Sequence, residues 1–301
     1  DETTAKTTDK ISSKTTNDTL PLPCDSAVPR LSRIALPVCS AIGVALAAAV
    51  VWAWFPHGSA AWTNPLHEID APAHYYFIRK ILGEGVGAAT HLWPNDEYYP
   101  PLFHLLAAGM IKLASLFGVN LSIYAAFNTV WLATSGLVWP IAIQLYASYF
   151  TRRLSYSAQS VCSPRFANAR KSSARNVASV VVPLFPAILA LIIPPLAVAS
   201  ASHPFQMLAS GPLIAFGLAT TLLPFWLYTT LRLLDALATR EHLVKWIIWF
   251  LVTAGVCMFA HPRIVFTWLL LMAPFVLTRL PWKAIAGLAG VVVLGAAVFL
   301  V

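Results

Sequence analysis

Glu68 and Asp70 stand one residue apart in HEIDAPAHYYFIRK (residues 67–80), and His74 follows one helical turn later. Carboxylates at i and i+2 converge on one ligand where the backbone is extended or turning, as it is just before a helix. There they could hold a hard divalent cation such as Mg or Mn, or draw the proton from a substrate hydroxyl. In that chemistry Asp70 is the base or a metal ligand and Glu68 the second ligand. Plainer roles compete: Asp70 caps the helix that follows, His74 sits as an amphipathic side chain at headgroup level, and Glu68 is a solvated acid. Histidines also stand at 67, 91 and 104, but their spacing does not match a closed zinc site.

Two further stretches carry polar groups among apolar neighbours. EYYPPLFHLL (97–106) joins a stiff Pro-Pro corner to paired tyrosines and His104. It is a loop-to-helix junction anchored by interfacial aromatics, or a platform on which Tyr99 stacks against a sugar and His104 donates to it or to a lipid phosphate. His261, Pro262 and Arg263 break two apolar runs, as SHPF does at 202–205. An arginine beside hydrocarbon invites an anionic phosphate as its partner, with His261 adjacent.

The elements that must position these groups are set by composition. Of 301 residues, 58% are hydrophobic and only 11% charged, with a mean hydropathy of +0.70, more apolar than a water-soluble core of this size can hide. The expected fold class is all-α, a polytopic transmembrane helix bundle of about seven spans. Short juxtamembrane helices are expected in an external loop. The formal charge of +8 falls in short basic clusters between apolar runs, which the positive-inside rule accounts for without a nucleic-acid partner. Cys24, Cys39, Cys162 and Cys257 are expected to be free thiols.

Residues 1–33 are expected to form a disordered cytoplasmic tail, poor in large apolar side chains. Residues 34–301 form the membrane domain, beginning with a span from Ile34 to Phe55 and followed by the first external loop (56–121). The run VVVLGAAVFLV at the end has no polar flank, so the chain is expected to continue past Val301. Further spans read as 122–150, 177–200, 213–231, 246–260, 264–278 and 284 onward, and Pro183, Pro186, Pro194 and Pro195 are expected to break one of them. If residues 101–118 and 122–150 both crossed, three basic linkers would land on the same side as the acidic loop. One crossing between Pro101 and Phe150 puts the basic linkers inside, so 101–118 is expected to be a juxtamembrane or re-entrant helix. Within the loop, Asp70, Pro72 and Gly83 or Gly85 delimit a helix of about Ala71–Leu82. It places His74, Ile78 and Ile81 on one face.

This arrangement of a first span, an external loop with an acidic pair and short helix, and a PPL segment entering a juxtamembrane helix resembles the GT-C superfamily of membrane glycosyltransferases. More closely, DAPAHYYFIRKI, YYPPLFHLLAAG, LVWP, ASGPLIAFGLATTLLP and FAHPRIVFTWLLL are similar to successive blocks of an uncharacterised family of actinobacterial polytopic membrane proteins, over roughly residues 34–280. The GT-C resemblance implies a polyprenyl-phosphate-linked sugar as donor and acidic residues of the first external loop in catalysis or metal binding, here Glu68 and Asp70. The closer resemblance matches Asp70 and His74, then Tyr99, Pro100 and His104, then His261 and Pro262. Two departures stand out. ASHPFQMLASGP holds no second acidic residue, and Arg263 occupies a position where a small polar amide is expected.

The expected function is therefore that of a glycosyltransferase-like protein in a bacterial cytoplasmic membrane, N-terminus inside, handling a lipid-linked sugar at the outer face in cell-envelope glycan assembly. His74, Tyr99, His104, His261 and Arg263 are its substrate contacts. The alternative is a non-enzymatic flippase, transporter or assembly subunit. Nearly charge-free span centres favour surface chemistry.

Overall fold

The computed structural model describes residues 30–54, 71–95, 98–161, 173–199, 214–283, 285–287 and 290. The described residues form helices and no strand. In chain order these are α1 (Arg30–Trp54), α2 (Ala71–Glu84), a 3₁₀ turn (Val86–Thr90), α3 (Leu102–Leu116) and α4 (Ile123–Ala133). A π-turn (Thr134–Val138) leads into α5 (Trp139–Val161), followed by α6 (Ser173–Ala199), α7 (Ile214–Thr239), α8 (Leu243–Ala260) and α9 (Ile264–Arg279).

Among the described residues, three helical stretches are long and apolar enough to cross a membrane: Ile34–Ala53, the composite Ile123–Arg153 and Leu243–Ala260. Leu184–Val198 and Ile264–Arg279 are shorter apolar helices, and the span expected from residue 284 lies largely outside the described residues. α7 occupies the interior instead, burying Leu218, Leu223, Trp226, Leu227 and Leu231 against its neighbours. α3, at 15 residues, is about 22 Å long and falls short of a roughly 30 Å hydrocarbon core.

Helix boundaries follow local chemistry. Pro100 and Pro101 precede α3, and the Ser122 hydroxyl caps α4 by accepting from the Ala125 N–H at 3.1 Å. α2 ends at Gly85, whose φ of +90° is open to glycine without a Cβ penalty. The four prolines expected to break the span near 183–195 do not interrupt α6, which stays helical from Ser173 to Ala199. A proline removes one backbone donor, and the packed neighbours of a helix in an apolar setting compensate the freed carbonyl.

Close approach organises the first half of the bundle. α1 lies along α6 in the most extensive pairing among the described helices, and a Cβ built on Gly43 would meet the Ala190 carbonyl oxygen at 2.4 Å. The same helix runs antiparallel to the π-turn and α5: Val51 abuts Gly136, and Gln144 donates to the Ser40 hydroxyl at 2.9 Å.

These contacts fix which residues share an end. Arg153 on α5, Asp235 on α7 and Arg279 on α9 meet directly, and Arg232 on α7 lies over the Trp246 ring of α8 at 4.8 Å. The antiparallel course of α1 brings the backbone of Arg30 and Arg33 toward the same end. Phe127, which packs on α2 and α3, precedes Arg153 by 26 residues, about 39 Å along a helix axis. The bundle thus has a cationic end and, a membrane's thickness away, an end built from α2, the start of α3 and the α8–α9 corner.

Candidate functional site

The end opposite the arginine cluster is built around a pair of imidazoles. α2 begins at Ala71, directly after Asp70, and buries His74, Ile78 and Ile81 along one face together with Phe77. α3 starts after the Pro-Pro corner and presents His104 in its first turn. The two rings stack at 5.2 Å between centroids and 12° between planes, with His74 Nδ1 and His104 Nε2 2.9 Å apart. One nitrogen of that pair carries the proton and the other accepts it, so the dyad holds a single shared proton between the rings.

Both imidazoles are buried, at 3% and 0% exposure. Burial first, and the neighbouring His74 second, push the His104 imidazole well below the ordinary histidine range, against a smaller opposing pull from the Pro100 carbonyl. That carbonyl is the partner on the other side of the ring, in a geometry too poor to satisfy the buried His104 Nδ1 fully. An unmet buried nitrogen costs free energy unless function or an ordered water uses it.

Aromatic rings line the way outward. Tyr99 lies 5.8 Å from His74, 5.6 Å from His104 and 5.9 Å from Trp93, while Phe77 meets Trp93 edge-on at 5.2 Å. Phe127 of α4 closes the far side at 6.4 Å from His74. Trp93 and the neighbouring Tyr98 are exposed, so the shell grades from buried imidazoles to surface rings that suit a sugar face or an interfacial lipid.

His74, Tyr99 and His104 therefore come together, with the two imidazoles buried behind the aromatic surface. Glu68 and Asp70 lie outside the described residues. His91 stands apart from the dyad, 3.7 Å from Glu84 and against the Thr90 hydroxyl. His261 ends α8 in extended conformation and its Nδ1 accepts the Arg263 backbone N–H at 3.2 Å, closing the HPR corner. Its ring meets Phe216 edge-on at 5.6 Å, and burial followed by the Arg263 charge holds it below the ordinary histidine range. Phe216 precedes Asp235 by 19 residues, about 28 Å along α7, so this corner belongs to the end opposite the arginine cluster. Arg263 is exposed and has no carboxylate partner among the described residues.

A hard cation prefers oxygen ligands, and among the described residues no three His, Cys, Asp or Glu side chains gather to hold a metal. The dyad does not supply such a site, since its facing nitrogens are spent on each other. Phe77, Trp93 and Phe127 were not singled out from sequence. Phe77 could have been, because it stands three residues after His74 on the same helix face; Trp93 and Phe127 carry no comparable local signal.

One prediction follows from the buried dyad. A histidine kept neutral by folding binds more protons when unfolded, so its contribution to stability is complete above about pH 6.5 and is lost as pH falls below that value. Thermal unfolding in detergent is expected to show a midpoint that drops from pH 7 to pH 5, with a shallower drop in His104→Gln. An identical slope in both proteins would remove His104 from the account.

Among the described residues, the fold and this end define an all-helical bundle with three helices long and apolar enough for a membrane and an aromatic-shelled histidine pair at one end. Residues 18–301 match a family of unknown function (DUF6541), and the chain belongs to that family. No curated protein and no solved structure matches it.

Proposed function

We propose that the protein is a multi-pass bacterial membrane protein of GT-C type that transfers the sugar of a polyprenyl-phosphate-linked donor at the outer face of the cytoplasmic membrane. The observation that carries this reading is the convergence of His74, Tyr99 and His104 from two sequence segments, immediately after Asp70 and at the end of the bundle away from the cationic cluster. The cationic end, with the N-terminus, faces the cytoplasm by the positive-inside rule.

In the proposed step, Asp70 takes the proton of an acceptor hydroxyl, whose oxygen attacks the anomeric carbon. The bond from that carbon to the phosphate oxygen breaks, and polyprenyl phosphate leaves with the electron pair. Glu68 assists Asp70, and a divalent cation, if one serves, rests on these two carboxylates; no step here depends on it. Tyr99 and the exposed rings beside it receive the sugar, and the dyad supports them from behind. Arg263, exposed and without a carboxylate partner among the described residues, receives the phosphate.

Loss of a charge-assisted contact of this kind typically costs about 1.5–3 kcal/mol, or roughly a 10- to 150-fold change in affinity. Arg263→Gln is therefore expected to weaken binding of a polyprenyl-phosphate sugar by about tenfold or more, measured with full-length protein in nanodiscs. Undiminished binding would withdraw Arg263 as the phosphate contact. Donor binding with no consumption in any condition would instead favour the flippase, transporter or assembly role.

A further inference from the structure

The charged cluster at the cationic end takes no part in chemistry at the opposite end. Asp235 Oδ1 accepts from Arg153, from Arg279 Nη1 at 3.1 Å and from the Tyr149 hydroxyl at 2.9 Å, while Arg279 Nη1 also donates to the Tyr149 oxygen at 2.9 Å. Three helices, α5, α7 and α9, are joined at this point. The charges do not balance: two guanidiniums share one carboxylate, and the other acids among the described residues, Glu84 and Glu241, make no ion pair with an arginine.

The surplus charge is held in place and faces outward. A guanidinium offers five donors in a fixed fork, and a single carboxylate oxygen uses only part of each. The Arg153 guanidinium is pinned over the Tyr149 ring at 4.7 Å, yet its side chain remains 49% exposed. Just past Arg279, Trp282 is 75% exposed, and α9 leaves Leu277 exposed as well. A preset pair of forks, with an exposed tryptophan and exposed apolar side chains at the same end of α9, matches a phosphodiester headgroup with its acyl chains. A soluble phosphate has no use for the apolar part.

We propose that Arg153 and Arg279 bind the phosphate of an anionic phospholipid in the leaflet at the cationic end, with Asp235 and Tyr149 setting the two guanidiniums and Trp282 at headgroup level. This rests on the membrane setting of the bundle and not on glycosyl transfer.

The test is lipid retention by the full-length protein, read by native mass spectrometry after reconstitution with equal phosphatidylglycerol and phosphatidylcholine, and checked by thermal stabilisation in detergent with each lipid or with inorganic phosphate. Phosphatidylglycerol is expected to be retained in preference. Arg153→Gln is expected to cut that preference about fivefold, the worth of one basic residue at a membrane surface. Arg153 is half exposed, so its removal leaves no buried charge unpaired and the variant keeps its fold. Equal retention of the two lipids, a preference unmoved by Arg153→Gln, or equal stabilisation by inorganic phosphate would each overturn the proposal.

Discussion

Asp70→Asn is expected to lower donor consumption by about 10²- to 10⁴-fold, the usual worth of a positioned general base. Asparagine caps a helix as well as aspartate does, so α2 should still begin at Ala71 and thermal stability should stay close to that of the wild type. That separation is the value of the substitution. A plain capping role predicts little change in either property, whereas catalysis predicts loss of turnover alone. Glu68→Gln is expected to give a smaller loss, because Glu68 assists and Asp70 reacts. Kinetics on both variants, beside their melting curves, check the assignment. Full turnover in Asp70→Asn would leave α2 with a cap and no base.

The second large effect is structural. Gly43→Val is expected to force α1 away from α6, because the first added carbon already meets the Ala190 carbonyl oxygen at 2.4 Å and the Leu191 carbonyl oxygen at 2.9 Å. Both obstacles are backbone atoms, so no side-chain rotation relieves them. Overpacking of this kind costs about 1–3 kcal/mol, and rigid backbone places it at the upper end. The loss should reach further than the contact itself, since α1 also carries Ser40 against Gln144 and Val51 against Gly136. A lowered thermal midpoint in Gly43→Val, with a smaller drop in Gly43→Ala, is the expected pattern. Wild-type stability in both would mean that the helices do not meet at Gly43.

How much of this was legible before the structure differs from element to element. α2 was legible nearly to the residue, because Pro72 and Gly85 punctuate it and His74, Ile78 and Ile81 recur at helical spacing. The helix stops at Glu84, two residues past the expected Leu82. The division between a short α3 and a long run to Arg153 was legible from charge and length. The prolines of α6 misled, because their local cost says nothing about the neighbours that absorb it.

The site was legible as a set of residue types and less so as an arrangement. His74 and His104 stand 30 residues apart, and nothing local says that their rings stack or that Phe127 on a third helix covers them. Pattern reading put both at a surface; packing put them behind one. The cationic cluster is the same kind of case. Asp235 finds its partners 82 and 44 residues away on α5 and α9, beyond the reach of any periodicity.

The measurement that bears most directly on the proposed function is binding and consumption of a polyprenyl-phosphate sugar by the full-length protein in nanodiscs, with and without divalent cation, beside the same polyprenyl phosphate lacking its sugar. The account predicts saturable binding that prefers the sugar-bearing lipid and release or transfer of that sugar. Equal binding of the two lipids, with the donor left intact, would contradict it.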